Sequence, residues 1–149
     1  MSDRGSKLVL DNKELTDEFF EETRLLGVMA PVKDYQFCWF LNTILGMDFR
    51  INNDIEIQLN KKKRNYFFAV YEFCEPTATL NHYVYNNQCE GEYLLPEFKH
   101  LDFLWLMKGD GVSDNSLKQT IESLRAIHGV QLVLELTNEK IKNKEHLVF

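Results

Sequence analysis

From residue 49 to 59 apolar and polar side chains alternate. Phe49, Ile51, Ile55, Ile57 and Leu59 share one parity, and Asp48, Arg50, Asn52, Asp54, Glu56 and Gln58 the other. A period of two predicts a half-buried strand. Asn52 and Asn53 mark where it bends or turns back, because Asn tolerates positive φ. TRLLGVMA, residues 23–30, is too short and too uniformly apolar for an amphipathic helix and predicts a buried strand. Pro31 and Asp34 then open a helix, with the aspartate as the cap for free backbone amides. Its stripe is Phe37, Phe40, Leu41, Ile44 and Leu45, and Gly46 supplies the left-handed stop. Tyr35, Cys38 and Trp39 widen that stripe, which predicts burial on more than one side.

NYFFAVYEFCE, residues 65–75, is apolar on both parities, as for one central strand covered on both faces. ATLNHYVYNN returns the chain as an antiparallel hairpin, and Gln88 to Gly91 makes the next break. A strand runs from His100 to Lys108 and ends at Gly109 to Gly111. Ser113 or Asp114 caps a second helix with Leu117, Ile121, Leu124 and Ile127 facing inward, ending at His128 and Gly129. VQLVLEL, 130–136, is a final strand, and the apolar residues 146–149 are expected to dock. Upstream, Lys7 to Asp11 reads as a short strand, and Phe19 and Phe20 pin an otherwise acidic segment. These elements predict an α+β fold: one domain over 1–149 with 1–6 as a flexible tail, and an antiparallel sheet of about six strands with two main helices on one side.

Composition adds limits. An apolar fraction of 44% excludes a disordered chain, because that much surface gains more on burial than its ordering costs. A net charge of −6 repels phosphate backbones, so nucleic acid is a disfavoured partner. The opening residues lack the apolar run of a signal peptide, and no window is apolar enough to span a bilayer, which predicts a cytoplasmic protein without membrane contact. Cys38, Cys74 and Cys89 fit neither a disulfide framework nor a metal-binding pair and are expected to be reduced, mostly buried thiols.

Candidate chemistry concentrates in LLPEFKHLDF, residues 94–103. Glu97 and Asp102 could act as acid and base with His100 as relay. In a regular strand, however, they would point to opposite faces about 16 Å apart at roughly 3.3 Å per residue. Only a turn within Phe98 to His100 would bring them together. The alternative is scaffolding: Pro96 at a strand entrance, and both carboxylates accepting backbone amides. Replacing Asp102 by Asn is then expected to cost stability rather than ligand affinity. His82, His100, His128 and His146 are scattered singly, without metal-ligand spacing, and no Gly-rich phosphate loop or nucleophile elbow is present. No metal and no cofactor are expected. The basic run Lys61 to Arg64, with Tyr66, Tyr71, Tyr83 and Tyr85 as stacking surfaces, would be the route to RNA, but turn chemistry and core packing account for both more simply.

Leu95-Pro96-Glu97, three intervening residues, then Leu101-Asp102-Phe103 resembles the signature of the IPExxxVDY family of Bacteroidota, with Leu for Ile, Leu for Val and Phe for Tyr. KLVLD near the start, DYQFCWFLNTILGM in the first helix and the closing HLVF are similar to the same family. The resemblance implies the fold and a bacterial cytosol, and it brings no activity with it. The phenol of the family's last motif position has no counterpart in Phe103. Together these readings favour a non-catalytic domain acting through protein contact or self-association. The alternatives are a ligand-binding or enzymatic pocket beside Glu97, His100 and Asp102, and RNA binding through Lys61 to Arg64.

Overall fold

The computed structural model describes residues 13–76 and 79–149, so the strand expected at Lys7 to Asp11 and the tail at 1–6 lie outside the described residues. A helix over 13–19 (α1) leads into β1 (Thr23–Met29) and then α2 (Asp34–Leu45). β2 (Arg50–Ile51), β3 (Ile57–Lys61), β4 (Arg64–Phe68), β5 (Val70–Cys74), β6 (Asn81–Asn86), β7 (Gln88–Cys89) and β8 (Glu92–Tyr93) follow. After a 3-10 turn at Pro96–Phe98 come β9 (Phe103–Lys108), α3 (Asp114–Arg125) and β10 (Leu132–Glu135). Six strands form one antiparallel sheet in the order β10-β1-β9-β6-β5-β2, while β3-β4 and β7-β8 are separate hairpins. This is the expected α+β fold.

The sheet is covered on both faces, which is why its central strands carry apolar residues on both parities. On β9, Phe103, Trp105 and Met107 face α2 and α3, packing with Leu26, Phe37, Leu41, Leu117 and Leu124. Leu104 and Leu106 face the opposite way, with Leu25, Tyr85, Leu95, Leu101 and Leu147. That second face is roofed by the β3-β4 hairpin, the 94–101 segment and the chain beyond Ile141. Both main helices therefore lie on one side.

Gly27 marks where the roof comes closest to β1. A Cβ there would lie 2.3 Å from Leu101 Cδ1, so the absent side chain lets the motif leucine sit directly on the strand.

Several expected boundaries move. The alternation at 49–59 is two strands, because Asn52 Oδ1 accepts the Asp54 amide at 2.9 Å and folds the chain back on itself. The run at 65–75 is also two strands, breaking at Ala69 as the chain passes from a hairpin over the sheet into the sheet itself. β5 is next to the edge, and the innermost positions belong to β9 and β6. Lys62 and Lys63 form the β3-β4 turn, both with positive φ (53° and 64°), the handedness that matches strand twist in a two-residue connection. Asp34 does not cap α2: the Lys33 amide donates to Gln36 Oε1 at 3.0 Å, and Asp34 instead accepts from the Tyr71 hydroxyl at 3.1 Å. α3 is capped as expected, Ser113 Oγ accepting from the Ser116 amide at 3.1 Å, but its last regular residue is Arg125, ahead of His128.

Candidate functional site

The segment from Leu94 to Phe103 leaves the β7-β8 hairpin, makes the 3-10 turn, and enters β9. Its organiser is Asn87, which is fully buried. Asn87 Nδ2 donates to the carbonyls of Leu101 (2.8 Å) and Phe98 (3.1 Å), and its Oδ1 accepts from the Leu95 amide at 2.9 Å. Its main chain adds two more bonds: its amide donates to Asp102 O and its carbonyl accepts from the Leu94 amide, each at 3.0 Å. One side chain thus replaces the regular ladder that a turning segment cannot make.

A turn does fall between Phe98 and Leu101, the Leu101 amide donating to Phe98 O at 3.0 Å, but it does not bring the two acids into one site. Glu97 reaches the chain after Ile141. Its Oε2 accepts the amides of Lys142 (2.6 Å) and Asn143 (2.9 Å), and Asn143 Nδ2 lies 3.2 Å from each carboxylate oxygen. Asp102 Oδ2 accepts the Ala30 amide at 2.8 Å, fixing the exit from β1, while the Asp102 amide donates to Val28 O at 2.8 Å. His100 is exposed, its ring 6.3 Å from that of Phe98. An open cleft of about 260 Å³ does border Asp102, with Lys33, Asp34, Asn86 and Gln88, but neither Glu97 nor His100 lines it.

Protonation follows from these partners. Burial raises the Glu97 carboxyl, but its own backbone amide, the Asn143 side chain and the main-chain amides of residues 142 and 143 together outweigh it and hold the group below its ordinary value of 4.5. A depressed carboxyl contributes stability that is complete above the unfolded value and fades as pH falls through the folded one. Protection of the amides in segment 141–147, taken as exchange relative to the unfolded-chain rate at each pH, is therefore expected to fall below pH 4.5 in the wild type and to lose that step in Glu97→Gln. Asp102 is the opposite case: burial pushes its carboxyl up, against the lowering pull of the Ala30 amide. Asp102→Asn keeps an oxygen for that amide and removes a partly buried charge, so urea denaturation is expected to find it within about 1 kcal/mol of wild type. Asp102→Ala leaves the buried Ala30 amide without its acceptor and is expected to cost about 1–3 kcal/mol. The stability cost of the asparagine change is thus expected to stay below that of alanine.

No protein-family model matches this chain, and no curated protein does.

Lys61 pairs with Glu92 at 3.4 Å and Arg64 with Glu90, so half of the basic run faces carboxylates of the β7-β8 hairpin. Tyr83 and Tyr85 are buried, the Tyr85 hydroxyl donating to Leu147 O at 2.8 Å, and Arg64 lies over the Tyr66 ring. These tyrosines do not form a common exposed stacking surface. All three cysteines are free, but only Cys38 is buried; Cys74 is exposed and Cys89 half-buried, which corrects the expectation of mostly buried thiols. Burial raises the Cys38 thiol well above its ordinary value and also raises Cys74, so neither is poised as a thiolate. His146 Nδ1 donates to Leu94 O at 2.7 Å, tying the chain end to the motif. Among the described residues, no group of three or more His, Cys, Asp or Glu side chains is arranged to hold a metal. No described helix is long and apolar enough to cross a membrane.

Three polar centres were not legible in the residue pattern. Asn87 is one. Arg24 is another, gripping Glu135 with two nitrogens (2.8 and 3.1 Å) while reaching Asp114 at 2.9 Å and Val112 O at 3.3 Å, so that β1, β10 and the start of α3 share one cation. The third joins His82 to Trp105 and Glu75. α2 adds a surface feature that corrects the expectation of broad burial: Tyr35, Trp39 and Ile44 are 59%, 60% and 55% exposed.

Proposed function

We propose that this chain is a non-catalytic protein-interaction domain of the bacterial cytosol, related to the IPExxxVDY proteins, working through the outer surface of α2. The observation that carries the reading is the exposure of Tyr35 and Trp39, one turn apart, on a helix whose opposite side is anchored by Phe37, Cys38 and Leu41. Tyr and Trp are enriched at binding hot spots because they bring large contact area at low entropic cost. Engagement of both motif carboxylates by the chain's own amides supports the same reading, since it leaves them structural work.

The test is crosslinking in the native host from tagged wild type and from a Tyr35→Ala/Trp39→Ala variant of matched melting temperature. A partner, or a second copy, captured by the wild type and lost from the variant is the expected result. Recovery of the wild type alone, or equal capture by both, would overturn the reading.

A further inference from the structure

His82 sits on β6 with 4% of its surface exposed, between two groups that dictate its tautomer. Trp105 Nε1, which can only donate, points at His82 Nδ1 from 3.0 Å. Nδ1 must therefore be the acceptor, the ring proton must lie on Nε2, and that proton is donated to Glu75 Oε1 at 2.9 Å. The rest of the enclosure is aromatic: Phe73 stacks on the imidazole with centroids 5.6 Å apart, and Phe49 contacts both the imidazole (6.2 Å) and the indole (5.4 Å). Around the ring, β5 leads to Glu75, β9 presents Trp105 and Met107, and the segment after α2 presents Phe49; Glu75 is the charged group that acts on the imidazole.

The neutral ring satisfies both partners. A second proton can enter only at Nδ1, where it would face the indole N–H donor to donor in a site closed to water. Such a clash leaves a buried donor without an acceptor and puts a cation in an aromatic enclosure.

We infer that His82 is an acid-sensitive latch: on protonation the imidazole gives up its bond to Trp105 and turns toward Glu75 and solvent, loosening the aromatic cluster under α2. Glu75 makes the motion feasible, because its side chain is 37% exposed and can stay with the departing cation. Phe49 carries the effect toward the helix, since Asn42 of α2 holds its amide (2.7 Å) and its carbonyl (3.0 Å). Burial lowers His82 below the ordinary value of 6.5 against the raising pull of Glu75. The unfolded chain therefore takes the proton first. Stability from this site is complete above 6.5 and falls as pH drops through the lowered folded value. The latch stands whether or not α2 binds a partner.

The test exploits the chain's two tryptophans, Trp105 buried and Trp39 exposed. Indole and imidazole nitrogens are followed by NMR from pH 8 to 5 in wild type and in His82→Gln, a residue that keeps an acceptor for the indole and a donor for Glu75 but gains no proton. At pH 8 the His82 proton is expected on Nε2. Below 6.5 the Trp105 indole signal is expected to shift in step with the His82 titration while Trp39 stays put, and His82→Gln is expected to abolish the shift. A proton on Nδ1 at pH 8, a Trp105 signal unmoved as His82 titrates, or the same acid transition in His82→Gln would each overturn the latch. The wild-type tautomer and titration decide the matter even if the variant fails to fold.

Discussion

Asn87→Ala is expected to lower stability by about 3–4 kcal/mol, near the top of the usual range for one substitution. The change removes the acceptor of the Leu95 amide and the donors to the Phe98 and Leu101 carbonyls at a fully buried position. The Leu95 amide and the Leu101 carbonyl lose this partner at about 1–3 kcal/mol each, whereas Phe98 O keeps the Leu101 amide, so the sum rests on two orphaned groups. Against a total stability of roughly 5–15 kcal/mol, the midpoint in urea should fall sharply. Asn87→Asp is the informative companion, because it keeps the acceptor and loses both donors. A loss below about 1 kcal/mol in the alanine variant would show that the turn holds without its clamp.

Gly109→Ala is expected to cost about 3 kcal/mol or more, through backbone rather than side-chain conflict. Gly109 has φ of 141°, and a Cβ there would lie 2.2 Å from Thr79 O and 3.0 Å from Leu80 Cα. Neither atom can swing aside, because the Leu80 carbonyl accepts the Glu75 amide at 3.2 Å and the Gly109 amide is itself bonded to Glu22 O at 3.0 Å. Gly46→Ala is the control. Its φ of 69° is equally left-handed, but nothing lies within 4 Å of the added carbon. Only the conformational preference is lost there, about 1 kcal/mol. Equal losses in guanidinium melts of the two variants would mean that the contact at Thr79 relaxes freely.

What the residue pattern revealed tracks how far each signal depends on neighbours in sequence. The stripe Leu117, Leu124 and Ile127 is a local property of a helix and was legible, as was the positive φ of Gly46. β1 and β9 were legible because a strand buried on both faces needs apolar residues throughout. The two split strands were not. Alternation over 49–59 says which residues share a face, and only the Asn52 side chain bonding forward to Asp54 decides that the chain folds back there. The exposure of Tyr35 and Trp39 was hidden for a related reason. A helix records which residues are apolar, and how wide its covered arc is depends on the sheet beneath. In the candidate site, the regular strand used to separate Glu97 from Asp102 is absent, because the chain turns between Phe98 and Leu101, and their acceptor duties run to residues 142–143 and to Ala30, far along the chain. Asn87 carries no local mark at all, because its three side-chain bonds run 8 to 14 residues ahead.

Arg125 closes α3 and donates through Nη2 to Val133 O at 3.1 Å, and Val133 lies on β10, the outermost strand at that end of the sheet. VQLVLEL, the run that contains it, has the β-branched, weakly charged character of segments that recruit copies of themselves into fibrils. An incoming chain would have to displace a guanidinium to form the rung at Val133. The last residue of a helix thus serves as a gatekeeper against templated growth, shielding a stretch whose own composition offers little protection.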